Sequence, residues 1–266
     1  MASWKPCLWA LATLACASIA SAQEETNVGT ASDLDLTAYD ISTAQFSILG
    51  KRRIDLSFSY QTDSQTTILS TGAAKQYGTT VRYTHPVNDR LEVSLALSGS
   101  RLTTDLVFGE EVAEETSVTD SQVSLGARYA LRAEQAGKPE LTLSSTLNFA
   151  NGGDVTGDLG LSFVTTSYPA YLYGAGSVLL DEDGYAGFGY NVGVGLAIND
   201  RLTTSAGLSG TFLDDPLAGT IGETSYFTTN VTYVINDKWS FDAGVGFGLT
   251  DETPDRTVTF GIGYRF

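Results

Sequence analysis

From about residue 53 to the C-terminus, apolar and polar positions alternate with a period of two, the spacing of a β-strand whose side chains point to opposite faces. The last stretch, Thr257-Val-Thr-Phe-Gly-Ile-Gly-Tyr-Arg-Phe266, does so without a break. Val258, Phe260, Ile262, Tyr264 and Phe266 share one face, and Thr259, Gly261, Gly263 and Arg265 the other. Dividing the chain at its turn signals gives twelve such segments, near 53–62, 76–85, 90–104, 118–132, 140–150, 156–167, 170–180, 185–198, 201–213, 223–235, 238–249 and 257–266. No segment is left over to cover so many apolar faces, so lipid must cover them. The pattern predicts an all-β protein, a transmembrane antiparallel β-barrel of about twelve strands.

The connectors alternate in kind. His85-Pro-Val-Asn-Asp89, Ser167-Tyr-Pro169, Ile198-Asn-Asp200 and Ile235-Asn-Asp237 are tight, while 62–75, 105–117, 151–155, 181–184, 214–222 and 250–256 are longer and more polar. Barrels of the bacterial outer membrane carry short turns on the periplasmic side and longer loops outside. An even strand count puts both termini on the short-turn side, consistent with that orientation. One module recurs at three tight turns: Asn88-Asp-Arg-Leu, Asn199-Asp-Arg-Leu and Asn236-Asp-Lys-Trp. Asn and Asp suit the turn, and the following Leu or Trp restarts the lipid face. Aromatics gather at the strand ends, with Tyr83, Tyr129, Tyr171, Tyr233, Trp239 and Tyr264 expected in a periplasmic girdle. Tyr60, Tyr77, Phe149, Phe188, Phe212 and Phe227 are expected in the outer one. Tyr264 and the terminal Phe266 also form the expected signal for the barrel assembly machinery.

Gly50-Lys-Arg-Arg-Ile-Asp-Leu-Ser-Phe-Ser-Tyr60, followed by Tyr77-Gly-Thr-Thr-Val-Arg-Tyr83 and Asn88-Asp-Arg-Leu-Glu-Val-Ser-Leu95, resembles the opening of a known family. These are the outer-membrane barrels known as transporters of the meta-pathway of phenol degradation. Ser98-Gly-Ser100 departs from that family's Pro-aromatic pair. The resemblance implies passage of small molecules, small aromatic or hydrophobic compounds among them, across the cell outer membrane.

The front of the chain adds a targeting segment. Lys5 supplies a positive start, Cys7 to Ile19 an apolar stretch, and Ala20-Ser21-Ala22 a small-residue cleavage site, so 1–22 reads as a signal peptide. Both cysteines fall inside it, which leaves the mature chain without thiol chemistry. A lipoprotein reading through Cys16 is weakened by Thr13 at a position where Leu is usual. Residues 23–49, with Leu34, Leu36, Tyr39, Ile41 and Phe46, form a leader too apolar for a plain linker. It either tucks into the lumen or lies at the periplasmic rim, and 50–266 forms the barrel.

The net charge of −16 argues against nucleic acid as a partner, since phosphate binding needs clustered Lys and Arg. Acid concentrates in Gly109-Glu-Glu-Val-Ala-Glu-Glu115, Asp181-Glu-Asp183 and Asp251-Glu252, read as solvated loop tips or as cation-binding loops. The only histidine, His85, falls in a turn with outward parity, and no cluster has metal-ligand spacing. No catalytic residue, metal site or cofactor is expected, and the chain is read as no enzyme. The partners expected are outer-membrane lipid, the assembly machinery and a small-molecule solute.

The expected inward faces are rich in Gly, Ser and Thr, which suggests a narrow water-filled lumen, or else glycine permitting strong curvature. One constellation stands out. Asp55, Arg82, Glu92, Arg128, Asp242 and Arg265 are all inward by parity, lie near the periplasmic rim, and come from strands that become neighbours once the barrel closes. They read either as a salt-bridge belt that fixes register or as a charged, pore-lining constriction. The function expected is a passive channel for small molecules, the alternative a structural or surface-interaction barrel without transport activity.

Overall fold

The computed structural model describes residues 52–66, 71–108, 111–132, 138–181, 184–215, 220–250 and 253–266. The stretches expected to be a signal peptide, 1–22, and a leader, 23–49, lie outside them. Twelve strands follow in chain order: β1 (Arg53–Thr66), β2 (Thr71–Pro86), β3 (Leu91–Phe108), β4 (Glu111–Arg132), β5 (Glu140–Ala150) and β6 (Val155–Ser167). They continue as β7 (Ala170–Asp181), β8 (Gly184–Asn199), β9 (Leu202–Asp215), β10 (Thr220–Val234), β11 (Trp239–Gly248) and β12 (Arg256–Arg265). Each pairs antiparallel with its sequence neighbours, and β1 pairs with β12 from Arg53↔Arg265 to Thr62↔Arg256, which closes the barrel. Closure leaves no free edge along the paired span, the condition for burying a sheet in hydrocarbon.

Period-two patterning sets the two faces. On β1, Ile54 and Phe58 turn outward and are exposed, while Arg53, Asp55, Ser57, Ser59 and Gln61 turn inward and are buried. The same division runs through β11, where Trp239, Phe241, Val245 and Phe247 are exposed and Ser240 and Asp242 buried. A soluble protein would bury the first set. Here the apolar face is the outside, so the surrounding medium must be apolar.

The tight turns owe their geometry to one atom. Asn88 Oδ1 accepts hydrogen bonds from the backbone N–H of Arg90 and Leu91, at 2.8 and 3.0 Å. Asn199 does the same for Arg201 and Leu202, and Asn236 for Lys238 and Trp239, again at 2.9 and 3.0 Å. The recurring module is therefore a side-chain-closed turn rather than a chance repeat.

Strand bounds differ from expectation mainly at the opposite end. The connectors 62–75 and 105–117 are largely strand: β1 and β2 stay paired to Thr66↔Thr71, and β3 and β4 to Phe108↔Glu111. Part of the acid-rich stretch ending at Glu115 thus lies on β4 rather than on a loop tip. A hairpin that has left the membrane needs no apolar face, so polarity alone does not end it. On its other side β4 pairs with β5 only from Gln122 onward. Its far part, Glu111–Asp120, therefore stands above the shorter β5.

Candidate pore constriction

At the turn end of the lumen, β1, β2, β3, β4, β11 and β12 each contribute a charge. Asp55 faces Arg82 as its cross-strand partner, and Glu92 faces Arg128. The second pair is an ion pair with Arg128 Nη1 3.8 Å from Glu92 Oε2, and Arg82, Asp55 and Glu92 are buried. Arg265 does not face a carboxylate: its partner on β1 is Arg53. Two like charges opposite each other repel, and Asp55 resolves this by accepting a hydrogen bond from Arg53 Nε at 2.5 Å. Asp242 lies across from Thr232, whose hydroxyl donates to Asp242 Oδ1 at 2.7 Å, and feels the charges of Asp55, Arg53 and Arg265. All six expected belt residues face the lumen; Arg53 makes a seventh. The belt expected from the sequence does not include it, although its parity with Asp55 marks it.

The opposite wall is aromatic. Around the closed barrel β7 stands six strands from β1 in either direction. Tyr171 and Tyr173, at the turn end of β7, point inward and are buried with Val164 and Ala175. Their partners on β8 are glycines, Tyr171↔Gly195 and Tyr173↔Gly193. A Cβ added to Gly195 would fall inside the ring of Tyr171, and one on Gly207 of β9 would lie 2.8 Å from Tyr173 Oη. The rings thus sit over glycines, 6.0 Å apart between centroids and tilted 34° to each other. This corrects the placement of Tyr171 in the lipid-facing girdle. The other girdle residues do face outward: Tyr83, Tyr129, Tyr233 and Trp239 are exposed, as are Tyr77, Phe149, Phe188, Phe212 and Phe227 at the far end. Tyr264 packs on Trp239 at 4.7 Å and on the exposed Phe266 at 5.4 Å.

Inward side chains are withdrawn from solvent along the length of the lumen, including Gln61 and Asn148 at 2% exposure and Asn191 at 3%. Tyr171 and Tyr173 fill the space over Gly193, Gly195 and Gly207. Some of these buried polar atoms, both ends of the Gln61 amide and Asn191 Oδ1 among them, have no hydrogen-bond partner among the described residues. His85 sits at the turn end beside Tyr83, whose hydroxyl lies 3.3 Å from Nδ1. Among the described residues no group of acids and histidines could hold a metal ion.

No family model and no curated protein matches the sequence. Solved structures do match. An outer-membrane channel from Pseudomonas putida F1 superposes with a TM-score of 0.62 at 14% identity, over 82% of this chain and 96% of that one. The KdgM porin gives 0.56 at 9% identity, over 80% and 99%. The translocator domain of the autotransporter NalP from Neisseria meningitidis gives 0.53 at 11%, over 86% and 96%. The chain has the fold of an outer-membrane barrel. At such identities the likeness reaches the fold and stops there, because barrels with these proportions serve both as channels and as translocators.

Proposed function

We propose that this protein is a passive channel of the cell outer membrane for small solutes, with its turn end in the periplasm. The observation that carries this reading is a lumen with two unlike walls: inward charged groups on β11 to β4, and on the opposite side of the barrel the inward Tyr171–Tyr173 ledge on β7. A charged wall orients a polar or ionic group, and an aromatic wall takes an apolar ring. Together they suit small molecules with both, which agrees with the small aromatic compounds implied by the sequence resemblance. The terminal pair Tyr264 and Phe266 serves as the signal for the barrel assembly machinery, and residues 23–49 serve as a periplasmic leader or a small lumen segment.

Purified protein in planar bilayers tests the channel. Discrete conductance steps and flux of a small aromatic acid into liposomes are expected, with Tyr171→Ala and Tyr173→Ala changing the flux of the aromatic solute more than that of a sugar of similar size. Absence of conductance at every voltage sinks the channel reading. A second reading, a structural or surface-interaction barrel without transport, draws on the burial of the lumenal rows, and would then be the one left.

A further inference from the structure

Lysines and arginines among the described residues fall into three groups. One lines the lumen belt and one lies at the turn end. The third has only Lys75, Arg101 and Arg256, and all of it lies in one quadrant of the outer wall at the far end. Register places them together. Arg256 on β12 pairs with Thr62, Thr62 with Lys75 on β2, and Lys75 with Thr103 on β3. One step toward the membrane centre, Val258, Tyr60, Tyr77 and Arg101 form the next row. At a strand spacing of about 4.8 Å, the three cations span roughly 15 Å of wall.

All three point away from the lumen. Arg256 shares its face with exposed Phe247, opposite in parity to the buried Thr257, and Arg101 is exposed beside Tyr77. Ser117 Oγ accepts a hydrogen bond from Arg101 Nε at 2.9 Å, which fixes the direction of that side chain. Tyr60 and Tyr77, one row below Lys75 and Arg256 and level with Arg101, pack at 5.0 Å between centroids and mark the boundary of the hydrocarbon. Cations on the lipid side of that boundary stand at headgroup depth. In a chain of net charge −16 they are not there to raise solubility.

We propose that Lys75, Arg101 and Arg256 bind the phosphate groups of a phosphorylated glycolipid in the outer leaflet. Guanidinium and ammonium groups in this spacing match phosphates carried on one sugar headgroup, and the paired tyrosines beneath take its acyl chains. The proposal rests on the outer-membrane reading, with the turn end periplasmic, but not on conduction.

The full-length mature protein in detergent, mixed with bisphosphorylated lipid A and examined by native mass spectrometry, provides the test. Parent protein should carry lipid A through detergent removal, and dephosphorylated lipid A should be retained far less. The K75Q/R101Q/R256Q variant should bind lipid A on the order of a hundredfold more weakly. Inorganic phosphate at the same concentration should not displace the lipid. Equal retention by parent and variant, indifference to the phosphates, or full displacement by inorganic phosphate would each overturn the proposal. Gel mobility before and after boiling shows that the variant is folded. Bilayer conductance of the same samples separates the two readings: the patch lies outside the lumen, so variant and parent should conduct alike, and a silent parent that still binds lipid A counts only against the channel.

Discussion

Tyr171 and Gly195 stand opposite each other on β7 and β8, and the phenol ring occupies the space that a side chain at position 195 would need. The glycine is therefore the seat of the aromatic ledge and not a source of lumen volume. Gly195→Val should expel the ring, destabilising the barrel by about 1–3 kcal/mol. Gly246→Ala on β11, where an added Cβ meets nothing nearer than 3.5 Å, should be close to neutral. Urea unfolding from lipid vesicles would measure both, and equal effects would mean that the ring is not held where the structure has it.

The belt makes a prediction about ion selectivity. Glu92 and Arg128 form a lumenal ion pair, so removing one shifts the local charge balance toward the sign of the other. Arg128→Gln and Arg82→Gln should each raise cation over anion permeability, and Glu92→Gln should lower it. The Glu92→Gln/Arg128→Gln double change should lie near the parent. Reversal potentials in a salt gradient report this directly. If channels form and no single change moves the potential, the belt only clamps the seam.

Lipid exposure of β11 can be tested residue by residue. Val245 faces outward near mid-strand, and its replacement by Arg should cost about 2–4 kcal/mol at that depth. Gly246→Ser, one residue on and facing inward, should be mild. Reversed sensitivities would invert the assignment of this strand's faces.

The three side-chain-closed turns should depend on an oxygen acceptor rather than on asparagine as such. Asn236→Ala removes both bonds to Lys238 and Trp239 and should cost about 1–2 kcal/mol, whereas Asn236→Asp keeps the acceptor and should stay near the parent. Equal stability of the two variants in urea would show that the backbone bond from Ile235 N–H to Trp239 O is enough to hold the turn.

Much of this fold is visible in the sequence because a membrane barrel reverses the usual burial rule along a fixed period. Where one face is apolar and the other polar, as from Ile54 to Tyr60, parity alone assigns every side chain. Parity also brings Asp55, Arg82 and Glu92 onto the lumenal face before any coordinate is consulted. It fails on β7. There Tyr171 and Tyr173 alternate with Leu172 and Gly174, both faces read as apolar, and a tyrosine near a strand end looks like a girdle residue. The signal that does exist is on the next strand, where Gly193 and Gly195 lack side chains of their own and so need a covering. The β3–β4 hairpin escaped for a different reason: outside the membrane, backbone pairing continues without an alternating pattern to announce it.

The unequal strands have a geometric outcome for the molecule as a neighbour. A barrel of twelve matched strands would look alike from every direction in the plane of the membrane. With β4 running from Glu111 to Arg132 beside a β5 of only Glu140–Ala150, this one has a tall side and a low side. An object gliding along the surface toward β3 and β4 meets a palisade, and one coming from β5 and β6 meets a low sill. The rim is therefore uneven around its circumference, high at β3 and β4 and low both at β5 and β6 and, across the barrel, at the ten-residue β11 and β12.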